Sequence, residues 1–281
     1  MVEKIATRDA YGETLIELGR ELKDLVVLDA DLSKSTKTAG FAKLFPERFF
    51  NMGIAESNLM GTAAGLATAG KIPFVSTFAV FATGRAYDQI RNSIVYPQLN
   101  VKICATHAGI TVGEDGASHQ ALEDIALMRV LPNMTVVVPA DGPETKQAVR
   151  AAAKHQGPVY IRLGRSGVPV LFDEEYKFDI GRIVTLRPGQ DVAIFACGIM
   201  VAEALAAAEL LAGQGIDAEV LNVSTIKPLN AEQVTAAAAR TGAVVTCEEH
   251  NIIGGLGSAV AEVLGEHCPV PLERIGVKDV F

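Results

Sequence analysis

An α/β fold in two consecutive domains is predicted, each domain a mainly parallel sheet covered by helices. Three observations carry this. Short apolar, β-branched runs recur along the chain, and helical patterns fall between them. Strands that alternate with helices build parallel sheets. The alternation lapses over 164–190 and then resumes. With 281 residues, 49% of them hydrophobic, the chain has the length and apolar content for a large core and for two domains.

In the first half, strands are predicted at 25–28, 72–75, 101–105, 135–138 and 159–161. Helices are predicted at 9–22, 56–69, 85–95, 121–129 and 144–154. Pro139-Ala-Asp-Gly-Pro143 ends one strand, and its Gly-Pro pair opens the next helix. Residues 164–190 hold no long periodic segment and read as a linker with a short β excursion. The domains are set at 1–170 and 189–281, with the linker at 171–188. In the second, a strand at 192–196 and an Ala/Leu-rich helix at 202–214 are followed by segments at 218–223, 231–239, 244–247 and 258–264. Gly254-Gly-Leu-Gly-Ser258 has the look of a dinucleotide loop. It lacks the final glycine and a usable acid ~20 residues on, so it reads as a tight turn feeding a helix.

Composition excludes several classes of partner. The net charge is −8 and no Lys/Arg-rich run occurs, which argues against nucleic acid and against anionic membranes. The first residues lack a signal-peptide core, and no apolar stretch reaches the ~20 residues of a membrane span. Cys104, Cys197, Cys247 and Cys268 form no C-x-x-C pair, and three lie in or beside apolar runs. Buried free thiols and a reducing, cytoplasmic setting are expected.

Three stretches and a few single residues carry candidate chemistry. Glu56 opens a helix of small residues in which Gly61, Ala64, Gly65 and Ala67 fall on neighbouring turns. Such spacing lets two backbones approach closely, so this acid is expected to face a tight contact rather than open water. An acid that only complements the helix dipole is the plain alternative. Thr106-His-Ala-Gly-Ile-Thr-Val-Gly-Glu-Asp-Gly-Ala-Ser-His-Gln120 follows a strand end, where ligand sites of parallel sheets lie. Its three glycines admit a ligand, and His107 and His119 flank Glu114 and Asp115. A metal site from these four would lack thiolates and recognised spacing, and a purely structural loop is the other alternative. Phe78 and Phe81, three apart after a strand, could present one flat apolar surface to a heteroaromatic ring, or simply pack in the core. Arg8 and Arg165 are candidate grips for a phosphate or carboxylate, or surface ion pairs. Asp31, just past a strand end, points to the same rim.

Taken together these residues resemble the transketolase family of thiamine diphosphate enzymes, over its pyrimidine-binding and C-terminal domains and nearly all of this chain. The matching pieces are Ala6-Thr-Arg8, Asp29-Ala-Asp31-Leu-Ser33, Gly53-Ile-Ala-Glu56, Ser76-Thr-Phe78, Thr106-His107, Gly113-Glu-Asp-Gly-Ala-Ser-His-Gln120 and Arg162-Leu-Gly-Arg165. The stretch 113–120 is the most diagnostic. The family's Gly-Asp-Gly…Asn motif for diphosphate and Mg²⁺ is absent from this chain. The resemblance therefore implies the C-terminal subunit of a split transketolase, with metal ligands on an N-terminal partner and a heterotetramer of two copies of each. It implies a cytoplasmic enzyme of the pentose phosphate pathway that transfers a two-carbon unit between sugar phosphates.

By the same resemblance, Glu56 would touch the cofactor's aminopyrimidine, Phe78 and Phe81 would pack on it, and Asp31 would be a weaker pocket contact. His107 and His119 would hydrogen-bond the sugar and relay protons. Asp115 would bind an acceptor hydroxyl, and Arg8 and Arg165 the distal phosphate. Two departures stand out: Ala55-Glu-Ser-Asn58 where many members have Arg-Glu-His, and Ala82-Thr-Gly84 where a third aromatic is usual, leaving a less closed ring pocket. Three alternatives stay open: a 1-deoxyxylulose-phosphate-synthase-like or 2-oxoacid dehydrogenase β-type subunit, a non-catalytic regulatory or scaffolding subunit, and a metal-dependent hydrolase at His107, Glu114 and His119.

Overall fold

The computed structural model describes residues 3–173 and 175–281. In chain order, β1 (Lys4–Ala6) leads to α1 (Thr7–Glu21), β2 (Leu25–Asp29), α2 (Ser33–Thr36), α3 (Ala39–Leu44) and β3 (Phe49–Asn51). Then come α4 (Glu56–Thr68), β4 (Ile72–Ser76), α5 (Tyr87–Gln89), β5 (Lys102–Ala105) and α6 (Asp124–Arg129). The first half closes with β6 (Thr135–Val137), α7 (Gly142–Lys154), β7 (Val159–Arg162) and β8 (Gly167–Pro169). The second half holds β9 (Val184–Arg187), β10 (Val192–Ala196), α8 (Met200–Ala212), β11 (Ala218–Asn222) and β12 (Thr225–Lys227). It ends with α9 (Ala231–Thr241), β13 (Val244–Asn251), α10 (Leu256–His267) and β14 (Leu272–Val277).

Seven strands form the first sheet, in the order β12-β6-β7-β5-β4-β2-β3. All neighbours are parallel except β12, which pairs antiparallel with β6. Strands β2, β5, β6 and β7 are buried at every position, as strands covered on both faces must be, and their sequences are accordingly apolar runs. The second sheet runs β14-β13-β10-β11-β9, parallel except for β9. β9 falls inside the 171–188 stretch and supplies the β excursion expected there.

Four features lie beyond the sequence reading. The edge strand β12 comes from the second half, where Thr225 meets Val137 across the ladder. One hydrophobic core accordingly runs through both halves, with Val136 and Val138 in the same cluster as Phe195, Leu221 and Ile226. The helix expected at 85–95 is not one α-helix. Two wide i→i+5 turns, Phe81–Arg85 and Ile90–Val95, flank the three-residue α5, with a break at Ala86 (φ −108°, ψ 15°). Such turns are frequent at functional sites. The helix expected from 121 starts only at Asp124, because Ala121 is held in a bridge to Ala108. Finally, the ribbon β1–β8 pairs Ile5 with Val168, which brings the start of α1 beside the end of β7.

Candidate active site

Most of the marked residues hang from carboxyl ends of the first sheet. Asp31 lies two residues past β2, Phe78 two past β4, His107 two past β5 and Arg165 three past β7. Arg8 stands in the first turn of α1, and Glu56 opens α4. The crevice at strand ends is where open parallel sheets bind ligands.

Phe78 is fixed by a bridge to Thr106, the residue before His107. The Phe78 ring stacks on His107 with centroids 3.8 Å apart and on Phe81 at 5.8 Å, the two phenylalanines only 15° from parallel. His119 stands edge-on to Phe81 at 5.3 Å. The flat surface expected of the two rings therefore exists, but it is covered at its outer end. Arg85 lies over Phe81, its guanidinium carbon 4.2 Å from the ring centre, and donates to Glu56 Oε1 at 3.2 Å. The Glu56 side chain is 5% exposed, and that of Arg85 54%. Thr77 Oγ1, on the residue before Phe78, is buried with no partner among the described residues. The close backbone contact expected at Gly61 and Gly65 is not made among the described residues. Both face outward, with open space where a Cβ would stand.

At the other end sit two guanidinium groups. Arg8 Nη1 donates to Ser35 O (3.0 Å) and to His107 Nε2 (3.1 Å). Burial, then the charge of Arg8, push His107 down to about 4, so its ring is neutral at pH 7. With Nε2 accepting, the ring proton sits on Nδ1 and goes to Thr106 Oγ1 at 2.9 Å. Arg8 feels the charge of Arg165 and is lowered chiefly by burial; its Nε is buried without a partner among the described residues. Arg165 bonds Val112 O and pairs loosely with Asp115 at 3.8 Å. The charges of Asp9 and Asp115 both act on Arg8 against that of Arg165. Arg8, His107, Phe78, Phe81 and His119 are thus one contact chain, joined to Glu56 through Arg85, and the Arg165–Asp115 pair stands near enough for its charges to act on Arg8 and His107. Asp31 lies outside it on the rim, exposed, with a positive φ of 63° and a bond from Asn51.

Among the described residues no three His, Cys, Asp or Glu side chains converge on a point that could hold a metal. His107, Glu114 and His119 do not form such a set, because both His107 nitrogens serve Arg8 and Thr106. The glycine turn before α10 is also no nucleotide site. Glu248 fills that helix N-terminus, accepting from the amides of Leu256 (2.7 Å) and Gly257 (2.8 Å). No helix of the described residues is long and apolar enough to cross a membrane. The cysteines are free, three of them buried.

Behind the loop lies a buried ionic chain between the halves. Tyr160 donates to Asp124 Oδ2 (2.6 Å), which Arg162 Nε also reaches (2.8 Å). Burial pushes Asp124 up, but the charges of Arg162 and His250 and the hydrogen bonds from Arg162 and Tyr160 together outweigh it and hold the carboxyl below its ordinary range. Arg162 lies 4.0 Å from Glu249 Oε2, and Glu249 Oε1 accepts from Thr111 N at 2.8 Å. Sequence reasoning missed Arg85, Thr77 and Glu249. Only Arg85 left a signal: it stands four residues after Phe81, a spacing that lets a cation reach a ring.

The chain matches the transketolase pyrimidine binding domain over residues 3–170 and the transketolase C-terminal domain over 181–281. It is 55% identical to a protein of Methanocaldococcus jannaschii described as "Putative transketolase C-terminal section", covering 98% of this chain and 87% of that one. It is 49% identical to "6-deoxy-6-sulfo-D-fructose transketolase subunit SqwH" of a Clostridium species, covering 98% and 85%. A solved structure described as "Split gene transketolase, inactive beta4 tetramer" superposes with a TM-score of 0.93 at 63% identity, over 99% of this chain and 91% of that one.

Proposed function

The chain belongs to the transketolase family, and on that premise we propose that it is the C-terminal subunit of a two-subunit transketolase. It would use thiamine diphosphate to pass a two-carbon ketol unit from a ketose phosphate to an aldose phosphate. The observation that carries this reading is Arg85. A cation seated over Phe81 while donating to a buried carboxylate makes the two contacts an aminopyrimidine needs there. The side chain is half-exposed and hinged at the rim, free to yield the place. The unpartnered Thr77 hydroxyl adds a polar group next to the rings. These residues fit a heteroaromatic ring, and Glu56, Phe78 and Phe81 would hold it.

Bound here, the cofactor supplies the electron sink for cleaving a carbon–carbon bond beside a carbonyl, which side chains lack. Glu56 would hold a proton at the ring nitrogen N1′, and burial keeps competing water away from it. Phe78 and Phe81 orient the ring. His107, neutral and held by Thr106, offers Nε2 to a substrate hydroxyl once Arg8 turns to an anion. His119, half-exposed beside Phe81, is placed to move protons to and from substrate oxygen. Arg8 and Arg165 grip the distal phosphate, a remote contact that orients the reacting carbons. Asp115, displaced from Arg165, would take an acceptor hydroxyl.

Diphosphate and Mg²⁺ would fall to another polypeptide, one bearing the Gly-Asp-Gly…Asn motif that this sequence does not contain. The words "section", "subunit" and "split gene" in the descriptions of its relatives favour such a partner. So does the open small-residue face of α4, which would suit a heterotetramer with two copies of each chain. The free thiols suit the cytoplasm. The test is reconstitution: this chain, a partner bearing the Gly-Asp-Gly…Asn domain, thiamine diphosphate and Mg²⁺. Two-carbon transfer from xylulose 5-phosphate is expected only from the mixture. Turnover by the lone chain, or a mixture that takes pyruvate in place of the ketose phosphate, overturns the proposal.

A further inference from the structure

The geometry points to Glu249, a residue of the second domain, as the positioning residue for the site loop that carries His107, Asp115 and His119. Its carboxylate crosses between the halves and grips the middle of that loop. Oε1 accepts the Thr111 amide at 2.8 Å, across 138 residues of sequence. The same peptide region is held from the first domain, where Ser166 donates to Thr111 O (3.1 Å) and Arg165 to Val112 O.

The loop is shaped to receive this one carboxylate. Gly109 has φ +84°, and a Cβ there would lie 2.2 Å from the Glu249 carboxyl carbon. Only a glycine admits the acid at that distance. On the far side, Arg162 fixes Glu249 twice. Its Nη2 donates to the Glu249 carbonyl at 2.9 Å and to Ala121 O at 3.2 Å, and its Nη1 lies 4.0 Å from Oε2. Ala121 in turn accepts from Gly109 N at 2.9 Å, where the loop re-enters the fold. One buried guanidinium therefore ties the entry of the loop through Ala121 and its centre through Glu249.

Glu249 does not act on substrate directly. It is 8% exposed, and the cavity beside it, lined by Thr111, Arg162 and Ser166 among others, is only about 30 Å³. That volume admits about one water and no sugar. Its action passes through the loop, and it gives the second domain a part in the chemistry at the first domain's strand ends.

Two readouts test this. In the isolated chain, Glu249→Ala frees the Thr111 amide, and exchange of amides 109–113 is expected to rise ~10-fold or more while those of β10 and β11 stay unchanged. Glu249→Gln keeps an acceptor in place and should stay within ~3-fold of wild type. Glu249→Asp keeps the charge beside Arg162 but withdraws the oxygen from Thr111, so it should loosen the loop without lowering Tm. Wild-type exchange at 109–113 in both the Ala and Asp variants, or a Gln variant as loose as Ala, overturns the assignment. The catalytic readout rests on the ketol-transfer reading. In the reconstituted enzyme, Glu249→Ala should lower kcat/KM for the sugar phosphate ~10–100-fold while thiamine diphosphate affinity stays within ~2-fold. An equal loss in cofactor affinity counts against a role confined to the loop. If no ketol transfer occurs at all, the functional reading fails, and hydrogen exchange still decides the role of Glu249.

Discussion

Replacing Arg85 with Ala should tighten the hold on thiamine diphosphate. In the structure Arg85 covers Phe81 at 4.2 Å and pairs with Glu56 at 3.2 Å. An incoming aminopyrimidine needs both of those surfaces and must expel the guanidinium first. A half-exposed cation on an aromatic face contributes ~0.5–1 kcal/mol. A solvent-screened ion pair adds ~0.2–1 kcal/mol. Together the contacts to be broken are worth about 1–2 kcal/mol, and at 1.4 kcal/mol per decade their removal tightens binding ~5–30-fold. Calorimetric titration of the reconstituted complex, wild type against Arg85→Ala, measures this directly. Added salt supplies an internal check: screening weakens the Arg85–Glu56 pair, so the gap between the two proteins should narrow. Unchanged or weaker affinity in Arg85→Ala would refute the reasoning, since it would mean that Arg85 stays and supports the bound ring.

Three further outcomes are expected. Glu56→Gln should cut turnover ~100–10,000-fold with cofactor saturating and leave the circular dichroism spectrum unchanged; near-normal turnover would remove Glu56 from the chemistry. Arg165→Ala should raise KM ~10–100-fold for phosphorylated donors and much less for unphosphorylated ones; equal effects would remove Arg165 from the phosphate grip. His107 makes folding pH-dependent. Its folded value of about 4 lies below its ordinary 6.5, so between those values the unfolded chain binds a proton that the folded chain refuses. Its contribution is full above about pH 6.5 and falls by up to about 3 kcal/mol toward pH 4. Glu144 and Glu248, raised to about 7 by burial, act in the opposite sense, weakening the fold as pH rises from about 4.5 to 7. Urea melts of wild type and His107→Gln across pH 4–7 separate the histidine, and parallel stability profiles would exclude it.

The strands were legible because burial on both faces forces apolar runs, as at Leu25–Asp29 and Val159–Arg162. The loop 106–120 was legible because it packs titratable residues and glycines into a strand end. Other features left no local trace. Phe49–Asn51 is short and partly exposed at a sheet edge. Thr225–Lys227 reads as a loop until its partner, ninety residues earlier in the chain, is placed beside it. The break at Ala86 is a matter of hydrogen-bond reach rather than of residue type. Arg85 and Glu249 take their meaning from partners 29 and 138 residues away, beyond any window of periodicity. Asp31, marked by its place at a strand end, was put on the rim by that rule but not in contact with the other site residues.

The strand that the second half lends to the first sheet has a consequence for inheritance. A recombination event between codons 170 and 225 would leave one parent's β6 to pair with the other parent's Thr225–Lys227, and Val136 to nestle against a stranger's Ile226. Most such chimaeras would carry a mismatched seam through the middle of their shared interior. Lineages exchanging these two modules should therefore trade them as a pair, and crossover points should be sparse between them.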